Sequence, residues 1–326
     1  MTVPTNTDQT FTQTNIREDL EDFIYNVDPY RTPIVNLSKR ASAKQTYHEW
    51  DVDALAAVNA ANAAVQGDNP TNIALTATGR MGNYTQIPTK TIQMSGTLQA
   101  VVAAGGTNTM AYQLAKKAKE LKRDMEAIST ANQASSAGNS TTASKTGSLQ
   151  SYIFTNSVHG AGGVDPTGVV TIGSETFGNG TTARTYGTAA ALTETMVRTV
   201  LNKVYTNSGD CPPYAVVSPT NKQVISTFTG PAGTRFTQIK DEVLQTAIDE
   251  YDSDFGSVKI VPDIFLNKTG DVWFLNPEYL KLAYLRPFQT IPLAKTGDSD
   301  QKEMLCEYAL EPTNEHAHGA IFDTTG

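Results

Sequence analysis

The sequence predicts an α+β fold in which helices and strands fall in separate runs, and three observations carry that prediction. A long amphipathic helix is legible over Thr107–Gln133, where Ala111, Leu114, Ala118, Leu121, Met125 and Ile128 recur at alternating spacings of three and four. Short apolar or alternating runs of strand type gather late in the chain, among them Tyr214–Val217, Val272–Leu275 and the series Met304, Cys306, Tyr308, Leu310. Polar Thr, Ser, Asn and Gly stretches separate these elements, with no regular strand–helix–strand alternation and no fixed repeat.

Composition narrows the class. The chain has 326 residues, 39% of them hydrophobic, enough to bury a core in one large or two moderate domains. Only 18% are charged, and threonine, which favours half-buried pleated surfaces, fills part of the gap. A net charge of −8 argues against nucleic-acid binding along the whole surface, because phosphate neutralisation needs concentrated Lys and Arg. Cys211 and Cys306 match no ligand spacing and read as buried free thiols of a reducing compartment. Met1–Thr14 lacks the apolar segment of a secretory signal, and no apolar run approaches the length of a membrane span.

Taken in order, residues 1–16 read as a flexible arm, and Ile16–Val27 as a short helix closed by Asp28-Pro29 and Thr32-Pro33. Lys44–Asp53 and Asn83–Met94 are extended runs separated by an Ala/Asn-rich excursion at Ala54–Ala77, which makes an outsized hairpin. Thr107 is the expected N-cap of the long helix, about 40 Å in length at 1.5 Å per residue. Lys116, Lys117, Lys119, Glu120, Lys122, Arg123, Asp124 and Glu126 fill its solvated face. Ala134–Ser148 reads as too polar to pack, Leu149–Phe154 as an apolar patch, and Thr155–Gly187 as an irregular loop or ribbon. Leu192–Tyr205 is a second amphipathic helix stopped at Asn207-Ser208-Gly209. Pro219–Phe228 is a short helix, and Tyr214–Val217, Ser257–Val261, Val272–Leu275, Tyr279–Leu285, Glu303–Leu310 and His316–Phe322 are strands.

Chemistry is sparse. On a strand, His316 and His318 would share a face able to hold a metal; Glu315 and Asp323 could lend oxygen, but no nearby Cys or second His cluster completes the site, so a satisfied structural pair is expected. Gly160–Asp165 and Asp252–Gly256 are incomplete calcium loops, and three Lys-Thr-Gly triplets starting at Lys145, Lys268 and Lys295 read as turns. Asp249, Asp252 and Asp254 could serve as paired carboxylates of a hydrolase, or as a plain solvated turn. No nucleophile elbow or phosphate loop is present, so no catalytic, cofactor-binding or metal-binding residue is assigned and no cofactor is expected.

The ordered segments Arg17-Glu-Asp-Leu20, Thr32-Pro33, Tyr47-His-Glu-Trp50, Tyr112-Gln-Leu-Ala-Lys116 and Glu120-Leu-Lys-Arg-Asp-Met-Glu126 are the first half of a resemblance. Ser253-Asp-Phe-Gly256, Leu285-Arg-Pro-Phe288, Leu293-Ala-Lys-Thr-Gly-Asp298 and His316-Ala-His-Gly319 complete it. Together they resemble the major capsid proteins of tailed bacteriophages with the Hong Kong 97-like fold, over about residues 15–322.

The resemblance implies an N-terminal arm (1–43), an extended loop (44–94), a peripheral domain (95–187) with a spine helix (107–133), an axial domain (188–262) and closing peripheral strands (263–326). It also implies a structural, non-enzymatic subunit. That subunit would join copies of itself in hexamers and pentamers, around DNA bound without sequence specificity and without a membrane. A separate scaffolding protein and a portal are implied as partners, with a decoration protein as a further candidate. Localisation would be the virion, after assembly in host cytoplasm. No motif transfers the Lys, Asn and Glu of the family's isopeptide crosslink, so none is expected. An encapsulin-like nanocompartment and a phage tail or fibre protein are the competing structural readings.

Overall fold

The computed structural model describes residues 31–69, 72, 75, 77–101, 109–228, 249–268 and 270–325. The arm through residue 16, the helix expected at Ile16–Val27 and the cap expected at Thr107 lie outside the described residues.

The described chain begins with α1 (Pro33–Leu37) and β1 (Lys39–Ser42). β2 (Tyr47–Val52) and β3 (Gly79–Tyr84) form an antiparallel ribbon, with Tyr47 opposite Tyr84 and Val52 opposite Gly79. β4 (Thr89–Ser95), the short α2 (Gly96–Ala100) and α3 (Met110–Thr130) follow. Next come α4 (Leu149–Tyr152), β5 (Ser157–Val158) and a second ribbon, β6 (Val169–Ile172) with β7 (Glu175–Gly178). α5 (Glu194–Ser208), β8 (Tyr214–Val217), α6 (Pro219–Ile225), β9 (Glu250–Ser253) and β10 (Gly256–Pro262) lead to β11 (Val272–Leu275). Two long strands, β12 (Leu280–Pro292) and β13 (Ser299–Pro312), precede β14 (Gly319–Ile321).

Two larger sheets organise these strands, in the orders β1-β12-β13-β4 and β5-β14-β11-β8-β10-β9. The centre of the six-stranded sheet, at β14, β11 and β8, is covered on both faces. Ala215, Val217, Val272, Phe274 and Ile321 point towards Val197, Val200, Leu201 and Val204 of α5. Val216, Trp273, Leu275 and Ala320 point the other way, into a cluster with Leu121 and Met125 of α3 and Leu282, Tyr308 and Leu310 of the four-stranded sheet. That is why β8 and β11 read as unbroken apolar runs: successive side chains alternate between two buried faces. Of the strands after residue 263, β11 and β14 join β8, while β12 and β13 join β1 and β4.

Local chemistry accounts for the helix ends. Thr109 Oγ1 accepts the Tyr112 N–H at 3.3 Å and caps α3, which stops at Thr130, short of the expected Gln133. Thr193 caps α5, and Gly209 ends it in the left-handed region at φ 77°.

Several expectations change. The single run Asn83–Met94 is two strands with different partners, separated around Pro88: β3 pairs with β2, and β4 with β13. Ala134–Ser148 does pack, through hydrogen bonds instead of apolar contacts: Ser136 and Lys145 exchange backbone bonds, and Thr146 and Ser148 are buried. β12 runs past Leu285 because irregular register on either side of Arg286 absorbs Pro287, which has no N–H to give. Cys306 is buried as expected, but Cys211 is only half-buried. Gly270 and Gly297 use positive φ in their Lys-Thr-Gly turns, whereas Gly147 does not. A Cβ at Gly147 would instead lie 3.1 Å from Ser151 Oγ and the Tyr152 ring.

Candidate functional site

The β2–β3 ribbon and the residues it carries are the part of the molecule least explained by its own core. Beyond Val52 the described residues 53–69 hold no strand and lie almost wholly in solvent. Leu55 is 92% exposed, Val58 98%, Val65 76% and Leu75 99%. Covering each such side chain is worth about 1.5–3 kcal/mol, so a partner surface is the natural place for them. The Ala/Asn-rich background hid these apolar positions in the sequence.

The root of the ribbon is the opposite: buried and densely bonded. Asn83 Nδ2 donates to the carbonyls of Gly147 (3.1 Å) and Leu310 (2.7 Å), and its Oδ1 accepts the Gly147 N–H at 2.7 Å. Thr85 Oγ1 donates to Glu307 Oε1 at 2.8 Å, and Glu307 Oε2 accepts Arg286 Nε at 2.7 Å. His48 Nε2 lies 3.0 Å from Glu311 Oε2, while Lys281 reaches Oε1 of the same residue at 3.1 Å. Tyr152 Oη donates to the Gly82 carbonyl at 2.9 Å. Asn83, Thr85, Glu307 and Glu311 thus each find partners, which a buried carboxylate or amide requires.

The long helix is only half a core element. Leu121 and Met125 are fully buried, but Ala111 and Tyr112 are exposed, so the expected stripe meets the core only in its second half. Glu126, placed by the sequence on the solvated face, is also fully buried. It sits there because α1 lands on α3: Glu126 Oε1 and Oε2 accept the N–H groups of Ile34 (2.7 Å) and Val35 (2.8 Å). These are orphan donors of a helix whose Thr32 supplies no side-chain cap. Burial first, and neighbouring Asp263 second, push the Glu126 carboxyl up to about 8. Burial also raises Asp263, whose Oδ2 is buried with no hydrogen-bond partner among the described residues. A carboxyl raised to about 8 keeps its proton at neutral pH, here beside Asp263.

A third buried knot ties the 180–187 segment to the C-terminal residues. Arg184 Nη2 lies 2.9 Å from Asp323 Oδ1 and 3.6 Å from Asp271 Oδ1, and Nε donates to Gln150 at 2.9 Å. Its guanidinium lies over the rings of Phe322 (4.2 Å) and Tyr186 (4.7 Å). The sequence carried a signal for it, because Arg184 is the only Lys or Arg between Lys145 and Arg198.

The residues considered for chemistry are dispersed. Glu315–Ala317 is a 3-10 turn and not a strand, so His316 and His318 do not share a strand face. His316 stacks on Phe177 at 4.5 Å, whereas His318 accepts the Asn276 N–H through Nδ1 and has Nε2 3.4 Å from the Tyr279 carbonyl. Burial lowers His318 to about 4, which keeps it neutral. Glu315 accepts the N–H groups of Phe154 and Thr155. Asp249 and Asp254 are exposed and paired with Lys222 (2.9 Å) and Arg198 (3.5 Å), the solvated-turn alternative. Among the described residues no group of three His, Cys, Asp or Glu could hold a metal ion, and no helix is long and apolar enough to cross a membrane.

A sequence model of the SU10 major capsid protein family matches residues 3–325. The chain belongs to that family. The SU10 assignment makes it a major capsid protein of a tailed phage, a structural class of protein. The major capsid protein of Escherichia phage Phieco32 is 37% identical over 108 residues, 33% of this chain and 31% of that protein, so the match spans under a third of that relative's length. A solved chain of the cyanophage A-1(L) capsid superposes with a TM-score of 0.62 at 12% identity, covering 98% of this chain and 100% of that one. A chain from Gordonia phage Cozz gives 0.58 at 12% identity, over 94% and 91%. These likenesses show the Hong Kong 97-like fold that the sequence motifs had suggested.

Proposed function

We propose that this SU10-family chain closes an icosahedral shell around double-stranded DNA by self-association, with the extended hairpin laid across a neighbouring copy. The observation that carries this reading is the contrast within one ribbon: a buried root tied down by hydrogen bonds and a loop whose Leu55, Val58, Val65 and Leu75 are 76–99% exposed. An interface of standard size buries roughly 800 Å² per partner, and an extended loop reaches that area with few residues. Hexamers and pentamers of the same chain would repeat the contact many times, so a small change in each is felt across the shell. The net charge of −8 suits a wall that encloses DNA without gripping it.

In this reading a separate scaffolding protein and a portal act during assembly in the host cytoplasm, a decoration protein is a further candidate partner, and the product is the virion. Residues 95–187 would form the peripheral domain with α3 as its spine, and residues 188–262 the axial domain. The test is deletion of Ala57–Asn69 in the chain expressed with its assembly partners. Electron microscopy is expected to show soluble subunits or capsomers and no closed shells. Normal shells from the deletion would remove the loop from the mechanism.

A further inference from the structure

We propose that the β6–β7 ribbon is a positioning element for assembly: it sets the angle at which the extended loop leaves the subunit. The inference rests on the preceding reading that the loop crosses a neighbour.

The ribbon is built to be stiff. Ile172 faces Glu175 across a two-residue turn, with Gly173 at φ 61° as a tight hairpin requires. One face, carrying Val170, Ile172 and Phe177, packs on Trp50 and Met81 of the hairpin and on Tyr152, and Ile172 and Phe177 are 3% and 4% exposed. The contact sits at the last paired residues before the loop. A Cβ on Gly79 would fall 2.2 Å from Ile172 Cγ1, so the hairpin backbone presses directly on that side chain.

The far end of the ribbon is fixed to the body. A Cβ on Gly178 would lie 2.0 Å from the Tyr152 carbonyl oxygen, and Ser135 donates its N–H to Gly180 at 2.8 Å. His316 stacks on Phe177, with Nε2 3.3 Å from the Thr176 carbonyl, and Arg184 locks the exit from the ribbon to Asp323.

The hairpin is therefore held at two levels, by hydrogen bonds at Asn83 and by this apolar brace at Gly79. Two supports define a direction where one would leave a hinge. Residues 53–78 can reach up to about 40 Å at ~3.3 Å per residue, and a tilt of roughly 10° would then carry the tip about 7 Å, beyond van der Waals contact. Loosening the brace should leave the subunit folded while spreading loop directions, and with them shell curvature.

Gly79→Cys combined with Ile172→Cys tests this in one protein. The Cβ built on Gly79 lies 3.4 Å from Ile172 Cβ, close to disulfide geometry, and removing the isoleucine clears its Cγ1 methylene and Cδ1 methyl. Reduced, the variant lacks the brace; oxidised, it is locked. We expect reduced protein to give at least a doubled spread of shell diameters or a tenfold lower yield of closed shells, and oxidised protein to restore wild-type particles. Identical wild-type particles in both redox states would overturn the proposal. Ile172→Ala, read by shell diameter and by hydrogen exchange across residues 47–84, supplies a second variant should the cysteine pair not fold. Unchanged diameters together with unchanged exchange would also overturn it. The loop deletion separates the two levels of argument: normal shells there defeat the crossing-loop reading and the brace together. If the deletion abolishes shells and the loosened brace changes nothing, only the brace fails.

Discussion

The six-stranded sheet and the two-stranded β2–β3 hairpin both carry apolar side chains, yet they place them in opposite ways. The sheet has α5 on one face and α3 with the four-stranded sheet on the other, so Val216, Val217, Val272 and Trp273 are completely buried within one chain. The hairpin buries its root and leaves Leu55, Val58, Val65 and Leu75 outside. On the proposed function, stability and assembly reside in different residues, and substitutions should separate them.

The largest effect is expected from Leu121→Asp. Leu121 is fully buried in the face that α3 gives to the core, so the change removes its packing and inserts an unpaired charge. Loss of packing alone costs about 2–5 kcal/mol, and the charge adds to it. Soluble subunit should be strongly reduced, with a marked fall in Tm in whatever remains; an unchanged Tm would contradict the packing described. Arg184→Ala comes next, at about 3–5 kcal/mol, because it leaves Asp271 and Asp323 buried without their cation. Chemical denaturation of the two proteins would measure it.

A smaller, pH-dependent effect belongs to Glu126. Its carboxyl is raised to about 8 by burial and Asp263, so the folded chain keeps a proton that the unfolded chain releases above about 4.5. This contribution to stability is complete below pH 4.5 and is lost as pH rises through about 8. Glu126→Gln carries no titrating proton, so its Tm deficit should be greatest near pH 5 and shrink towards pH 8. A deficit constant across that range would mean the pair does not hold the proton.

The smallest effect on the fold is expected from Leu55→Ser, Val58→Ser and Val65→Ser together. Their side chains touch almost nothing in the subunit, so each should change stability by no more than about 0.5 kcal/mol, with a correspondingly small shift in Tm. Shell formation, counted by electron microscopy, should collapse. A drop in Tm with normal shells would reverse the comparison between sheet and hairpin.

Much of this was legible from residue order. The stop at Gly209, the strands β8 and β11 and a long excursion between two extended runs follow from periodicity and turn chemistry, whereas β9 and its pairing with β10 were not expected. The candidate site was legible only in outline. The hairpin was visible, but its apolar contacts were masked by alanine and asparagine, and the ribbon at 169–178 lay inside a stretch read as a loop or ribbon. Glu126 was assigned to the wet face because helical spacing describes one helix, while its burial depends on α1 landing there. The expected strand through His316 failed because Asn314 caps a 3-10 turn through the His316 N–H.

By itself, then, the sequence determined the local elements, the class of fold and the absence of any recognisable catalytic motif, since each rests on contacts between near neighbours in the chain. The tertiary structure alone decided which polar groups are buried and which apolar ones are left out. Asn83 meets Leu310 across 227 residues, and Glu126 meets Ile34 across 92. Burial free energy and the protonation of a carboxyl depend on what surrounds a group in space, and no local periodicity encodes a partner so far away.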